Sequence, residues 1–142
     1  MPTATRADRF TQTQKTPVFY SDFLNSFSVH PLTNVLAMTT NQASVRQAIK
    51  NLVLTNLGDR PFENQIGTNT RASMFEQDDL LTTDSLESNI SYAIKNFEPR
   101  ANLLGVQVTP NTDGNSLQID IVFSLINNPT PVALQLVLQR VR

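Results

Sequence analysis

Apolar residues recur along this chain with two different periods, and the change of period falls at one place. Before residue 97 they return at every third or fourth position; after residue 101 they return at every second one. The first spacing places them on one face of a helix, the second on one face of a strand. Val45, Ala48, Ile49 and Leu52 predict a helix over residues 42–55, with a short strand at 34–38 before it. Asn41 suits the N-cap, because its short side chain can accept a first-turn N–H, and Gly58 suits a left-handed C-cap. Residues 60–69 hold Pro, Asn, Gly and Thr and read as a loop. Residues 70–75 predict one or two helical turns that carry Met74 and Phe75 inward, followed by an acidic connector over 76–81 with Asp78 and Asp79 adjacent. Leu86, Ile90, Ala93, Ile94 and Phe97 form one apolar stripe, and Asp84 with Glu87 three positions on resembles a capping box at its start.

The period changes at Asn96-Phe97-Glu98-Pro99-Arg100. Proline has no N–H for a helix and pushes the residue before it out of the α region, so the helix must end near Phe97. A carboxylate and a guanidinium are left two residues apart on a forced bend. Beyond it, Leu104, Val106 and Val108 are expected on one face of a strand. Residues 111–115 carry a hairpin turn signal. Leu117, Ile119, Ile121, Phe123 and Leu125 then alternate with Gln118, Asp120 and Ser124, as in a half-buried strand. Residues 127–131 break it. A last strand has Leu134, Leu136 and Leu138 facing one way and Gln135, Val137 and Gln139 the other. The fold class expected is α+β, with two to three helices packed on a mainly antiparallel sheet.

Residues 1 to about 30 are polar and Thr- and Gln-rich, with Arg6, Arg9 and Lys15 among them and aromatics at Phe10, Phe19, Tyr20, Phe23 and Phe27. A loose tail and an arm ordered against neighbours through its aromatics both fit this pattern. The division expected is an extended arm over residues 1–33 and a single domain over 34–142.

Composition narrows the function more by exclusion than by motif. With 142 residues the chain can bury a real core. A net charge of −1 from 11 basic and 12 acidic residues gives no steering toward nucleic acid or membrane. There is no cysteine, and the single histidine, His30, precedes a proline. No metal or other cofactor is expected from so few ligands. No apolar run approaches the roughly 18 residues that span a bilayer, and the N-terminus lacks a signal-peptide core, so a soluble protein made in the cytoplasm is expected. A Ser-His-Asp triad would have to use His30. Glu63, Glu76 and Glu98 are the candidate acids for glycoside hydrolysis, yet spacing fixes no second carboxylate near any of them. Only 4 glycines are present and they form no phosphate loop. Two plain readings stay open beside any functional one. Arg60-Pro61-Phe62 fits a surface turn with one buried ring, and Glu98-Pro99-Arg100 fits a helix stop with an exposed ion pair worth about 0–1 kcal/mol.

Taken together and in order, Arg60-Pro61-Phe62 with Gly67, Met74-Phe75-Glu76, Asn96-Phe97-Glu98-Pro99-Arg100, and the stretch from Phe123 through Asn127-Asn128-Pro129 resemble the baseplate wedge protein of contractile-tailed phages. This is the sheath-initiator family, similar to a lysozyme-like component of type VI secretion baseplates. The likeness runs from about residue 40 to the end. It implies a fold related to the conserved domain of tail sheath proteins and a structural role in the virion's tail baseplate, assembled in the host cytoplasm. It further implies docking of Glu98, Pro99 and Arg100 on the helical core bundle of the wedge, with Arg60 and Phe62 near that interface or bracing it from inside. The implied partners are other wedge proteins, the tail sheath protein, and tail tube or tube-initiator proteins. A sheet edge can accept a neighbour's strand. The candidate for that sheath contact is residues 132–141, with Leu134, Leu136 and Leu138 holding it to the core and Gln135, Val137 and Gln139 outward. The family's lysozyme label leaves a muralytic enzyme as the alternative.

Overall fold

The computed structural model describes residues 19–75, 80–111 and 116–139. A β-hairpin, three helices and a three-stranded sheet follow one another: β1 (Ser21–Phe23), β2 (Met38–Thr40), α1 (Gln42–Leu54), α2 (Thr70–Ser73), α3 (Leu80–Phe97), β3 (Ala101–Asn111), β4 (Ser116–Leu125) and β5 (Asn128–Gln139). The expected α+β class is the one observed. β1 pairs antiparallel with β2, and β3, β4 and β5 form an antiparallel meander with β4 in the middle.

The two predicted stripes meet on one face of that sheet. Val45, Ile49, Leu52 and Val53 from α1 and Leu86, Ile90, Ala93 and Ile94 from α3 are buried against Ile119, Ile121, Phe123 and Leu125 of β4. Val132, Leu134 and Leu136 of β5 complete the core from one side and Val108 of β3 from the other. Each large apolar side chain so buried contributes roughly 1.5–3 kcal/mol. Glu87 adds a polar tie between the layers: its Oε1 accepts the Val108 N–H at 2.7 Å.

Several local expectations are corrected. α3 begins at Leu80, so Asp84 lies inside it and Glu87 serves β3 rather than a capping box. The strand expected at 34–38 forms instead at Met38–Thr40, after a left-handed Asn34 and an isolated bridge from Val29 to Leu36. α1 closes at Thr55, not Gly58, which sits in the following turn at φ +87°. Phe75 points outward, 71% exposed. Leu104 is exposed too, because the register slips between Leu103 and Gly105. One extra residue in the strand flips the alternation, leaving Leu103 against the core. β5 starts at Asn128, so the turn after β4 is shorter than the 127–131 break suggested.

The loop after α1 is fastened back onto that helix. Buried Thr68 donates its hydroxyl to the Val53 carbonyl at 2.7 Å and its N–H to the Thr55 carbonyl at 2.8 Å. Its hydroxyl is also 2.7 Å from that of buried Thr70. Gly67 makes this approach possible. A Cβ there would stand 2.6 Å from the Thr55 carbonyl oxygen, and its φ of +134° suits glycine alone. The connector at 76–79, the turn at 112–115, residues 1–18 and residues 140–142 lie outside the described residues.

Candidate functional site

The bend at Glu98-Pro99-Arg100 closes on itself before it meets anything else. The Glu98 N–H still completes the helix, reaching the Ile94 carbonyl at 2.9 Å, and the Ala101 N–H returns to the Glu98 carbonyl at 3.2 Å. Pro99 is exposed at the apex. The two charged side chains fold back beneath it. Arg100 Nε donates to Glu98 Oε1 at 2.7 Å and Nη2 to Oε2 at 2.9 Å, a bidentate fork. Glu98 is 6% exposed, so this carboxylate is buried with both oxygens engaged.

The remaining nitrogen of the guanidinium reaches across the chain. Arg100 Nη1 donates to Asp22 Oδ2 of β1 at 3.0 Å and lies 3.4 Å from the hydroxyl of Ser44 in the first turn of α1. Ser44, wholly buried, donates to the same Asp22 oxygen at 2.5 Å. The guanidinium carbon stands 5.7 Å from the centre of the Tyr20 ring, a cation–π distance. The Tyr20 hydroxyl accepts from Asn127 at 3.1 Å, and the Ile126 N–H reaches the Arg100 carbonyl at 3.2 Å. One arginine thus gathers the end of α3, the start of α1, the N-terminal hairpin and the β4–β5 turn.

The charges respond to each other. The Arg100 pKa is raised above its ordinary value, first by the bonds to Glu98 and then by Asp22, with burial opposing. The Asp22 carboxyl is held below its ordinary value by the Ser44 hydroxyl first, and by the hydrogen bond and charge of Arg100, with partial burial opposing. Asn41 occupies the N-cap position but turns its Oδ1 to the Phe19 and Tyr20 N–H groups, at 2.9 and 3.4 Å. The cap residue therefore anchors the hairpin.

Arg60 and Phe62 are placed differently. Arg60 pairs with Glu63 at 3.4 Å in a half-exposed surface bridge. The Phe62 ring is fully exposed, at a left-handed φ of +72°, so it does not brace the bend from inside. Arg60 and Glu98 nevertheless line one hollow of about 240 Å³ together with Ile66 and Phe97. Along β5, Leu134 and Leu136 are buried and Leu138 half-buried, while Gln135, Val137 and Gln139 point out. The strand lies at the sheet's margin. Among the described residues no three His, Cys, Asp or Glu side chains gather to hold a metal, and no helix is long and apolar enough to cross a membrane.

Asp22, Ser44 and Tyr20 were invisible to sequence reasoning as members of this site. Asp22 and Ser44 are separated from Arg100 by 78 and 56 residues, and no local motif marks them. The only sequence hint was the cluster of aromatics around Tyr20.

The fold is that of a class of proteins found in contractile-tail baseplates. The chain superposes with a TM-score of 0.63, at 24% identity, on a Geobacter sulfurreducens protein that carries the provisional name of tail lysozyme, covering 75% of this chain and 98% of that one. It matches a chain of the anti-feeding prophage baseplate at a TM-score of 0.59 and 19% identity over 83% of each. A chain of the postcontracted pyocin R2 baseplate matches at a TM-score of 0.51 and 18% identity, over 68% of this chain and 93% of that one. The sequence is more specific: residues 39–130 match the model of the family described as baseplate wedge protein gp25. The gp25 baseplate wedge protein of Enterobacteria phage T4 is 36% identical over 89 residues, 63% of this chain and 67% of that protein. The chain belongs to the gp25 family and is a structural component of a multi-protein contractile-tail baseplate.

Proposed function

We propose that this protein docks on the helical core bundle of the wedge through the bend at Pro99 and starts sheath assembly through β5. One observation carries the reading: the same domain offers two separate exposed features, the bend with its Arg60–Phe62 neighbour and the outer strand of its sheet. Phe62 is the aromatic anchor for the first contact, since a fully exposed ring on a fixed turn gains most from burial. Pro99 and the exposed side of Arg100 supply the rest of that contact, and Glu98 acts from beneath by fixing the direction of the guanidinium. β5 gives the second contact, to the tail sheath protein around the tube. Assembly takes place in the host cytoplasm, where the wedge partners are made.

The surroundings of Glu98 support a non-enzymatic role. A general acid needs a raised pKa and access to the scissile oxygen. Glu98 has both oxygens on Arg100, and the nearby Asp22 is pushed toward its ionised form. Complementation of a tail-forming system that lacks this gene tests the reading. Phe62→Asp should leave a folded protein that no longer co-purifies with wedge partners. Gln135→Pro, at an outward position, should give baseplates without sheath. Normal sheathed tails from both variants would overturn the proposal. Muralytic activity in purified protein that vanishes in Glu98→Gln would favour the enzyme instead.

A further inference from the structure

The N-terminal hairpin is fastened on one side and bare on the other. Toward α1 it is held by polar bonds. Asp22 meets Ser44 and Arg100, the Phe23 carbonyl accepts from Gln47 Nε2 at 2.7 Å, and the Asn25 and Asn51 amides exchange two bonds at 2.7 and 3.0 Å. Away from α1 the pattern is apolar. Phe23 stands opposite Met38, and Val29 opposite Leu36. Leu36 and Met38 are two apart in a stretch whose exposure alternates, so these four side chains share the outward face. Leu32 occupies the tip, 88% exposed. From Phe19 to Thr40 the single charged residue is Asp22, and it is engaged on the inner side.

Phe27 adds strain to exposure. Its φ is +48°, left-handed backbone that a bulky side chain rarely adopts, and its ring is 68% exposed. Such a conformation persists where the surroundings impose it, and here it directs an aromatic ring into water. Phe23, Phe27, Val29, Leu32, Leu36 and Met38 keep 40–88% of their surfaces exposed. That leaves roughly 600 Å² of uncharged apolar area, at the upper end of what a monomer shows and approaching the roughly 800 Å² per partner of a standard interface. The family match starts at residue 39, so all six precede it.

We propose that the outward face of the hairpin seats an amphipathic helix of another baseplate protein, which lays an uncharged apolar stripe along it with Phe27 as the anchor. The facing side chains project from the ribbon's face rather than its edge, and a sheet face is covered by a helix or a second sheet. Two strands about 4.8 Å apart make a ribbon about as wide, with its side chains, as the 10 Å of one helix. From Met38 to Leu32 it runs at most about 20 Å, the length of a helix of about 13 residues. Charge narrows the occupant further. A nucleic acid or a charged peptide finds no opposite charge on this face, whereas apolar residues three and four apart leave water without stranding a charge. α1 already covers the inner side, so the seated helix completes a sandwich around the hairpin.

The chain has no cysteine, so Ser28→Cys and Thr33→Cys, both at exposed hairpin positions, each take a single environment-sensitive fluorophore. The labelled full chain is titrated at micromolar concentration with each purified baseplate protein encoded alongside it. One of them should shift both labels to the blue, and hydrogen exchange on that protein should slow over one helix with apolar residues three and four apart. Leu32→Ser should weaken this binding at least about tenfold. Phe27→Asn should do the same yet melt no lower than wild type, since asparagine accepts the left-handed backbone. The contact does not rest on docking at the bend, so Phe62→Asp should shift the labels as wild type does. A shift lost in Phe62→Asp but kept in Leu32→Ser and Phe27→Asn would move the contact to the bend and overturn the proposal. It is equally overturned if no baseplate protein shifts the labels, or if the slowed segment is a strand. Three other occupants would also sink it: a second copy, seen as a dimer by sedimentation of the free chain; a lipid surface, seen as a blue shift with phosphatidylcholine vesicles; and the chain's own residues 1–18, seen as labels that become exposed when those residues are removed.

Discussion

Replacing Arg100 by lysine isolates what the guanidinium contributes beyond its charge. The arginine makes two bonds to Glu98, at 2.7 and 2.9 Å, and one to Asp22 at 3.0 Å. A single ammonium cannot span both carboxylates and keep the fork. Breaking a fully buried pair costs about 3–5 kcal/mol because a charge is left unpaired. Here the Arg100 side chain is 27% and that of Asp22 38% exposed, which screens part of the loss, and lysine preserves the charge. The expected cost is about 1–2 kcal/mol for Arg100→Lys and about 2–3 kcal/mol for Arg100→Ala. At this chain length the lysine variant should melt about 3–8 °C lower. Urea unfolding followed by circular dichroism gives the free energies, and a double-mutant cycle with Asp22→Asn should show coupling above about 0.5 kcal/mol. A lysine variant within about 0.5 kcal/mol of wild type would mean that the fork adds nothing and the bend is an ordinary surface pair. Strict additivity with Asp22→Asn would show that the hairpin is not held through Arg100.

Three further substitutions probe other parts of the same argument. The Asp22 carboxyl titrates lower in the folded chain than in the unfolded one. Its contribution is therefore complete above about pH 4 and fades as pH falls through the depressed value. The stability gap between wild type and Asp22→Asn should hold between about pH 5 and 7 and shrink below about pH 4; a gap indifferent to pH would contradict the linkage. Gly67→Ala should cost more than about 2 kcal/mol, since its Cβ would press on the Thr55 and Asn56 carbonyls at 2.6 and 2.8 Å. Gly58→Ala, with open space around it, should cost about 1 kcal/mol from its backbone angle alone. Equal losses in urea would deny the close approach at Gly67.

The core was legible because it depends on period. Ile90 and Ile94 are four apart and Ile119 and Ile121 two apart, and those spacings place them inside whatever the detailed geometry. Leu104 was misplaced because a bulge inserts one residue without a compositional mark. Asp84 and Asn41 show a different limit. Capping residues were recognised by type, but α3 starts a turn earlier than Asp84, and the hairpin claims the Asn41 oxygen. At the bend the sequence named Glu98 and Arg100 yet left their target open. Burial of Glu98 and the reach of Arg100 to Asp22 depend on how the hairpin lies across α1, which no short-range pattern encodes.

The separation of 78 positions between Asp22 and Arg100 also sets an order of events as the protein folds. The meander from β3 to β5 joins neighbours in sequence, so its loops close with little entropy loss. The Arg100 bridge to Asp22 must wait until the hairpin has been delivered across the intervening helices. A partly collapsed chain therefore carries the sheet without a finished bend, and the guanidinium takes its final direction last. Pulsed hydrogen exchange during refolding should find the amides of β4 protected before those of Ser21–Phe23. On that timing, the bend proposed as the docking surface matures only after the rest of the domain is in place.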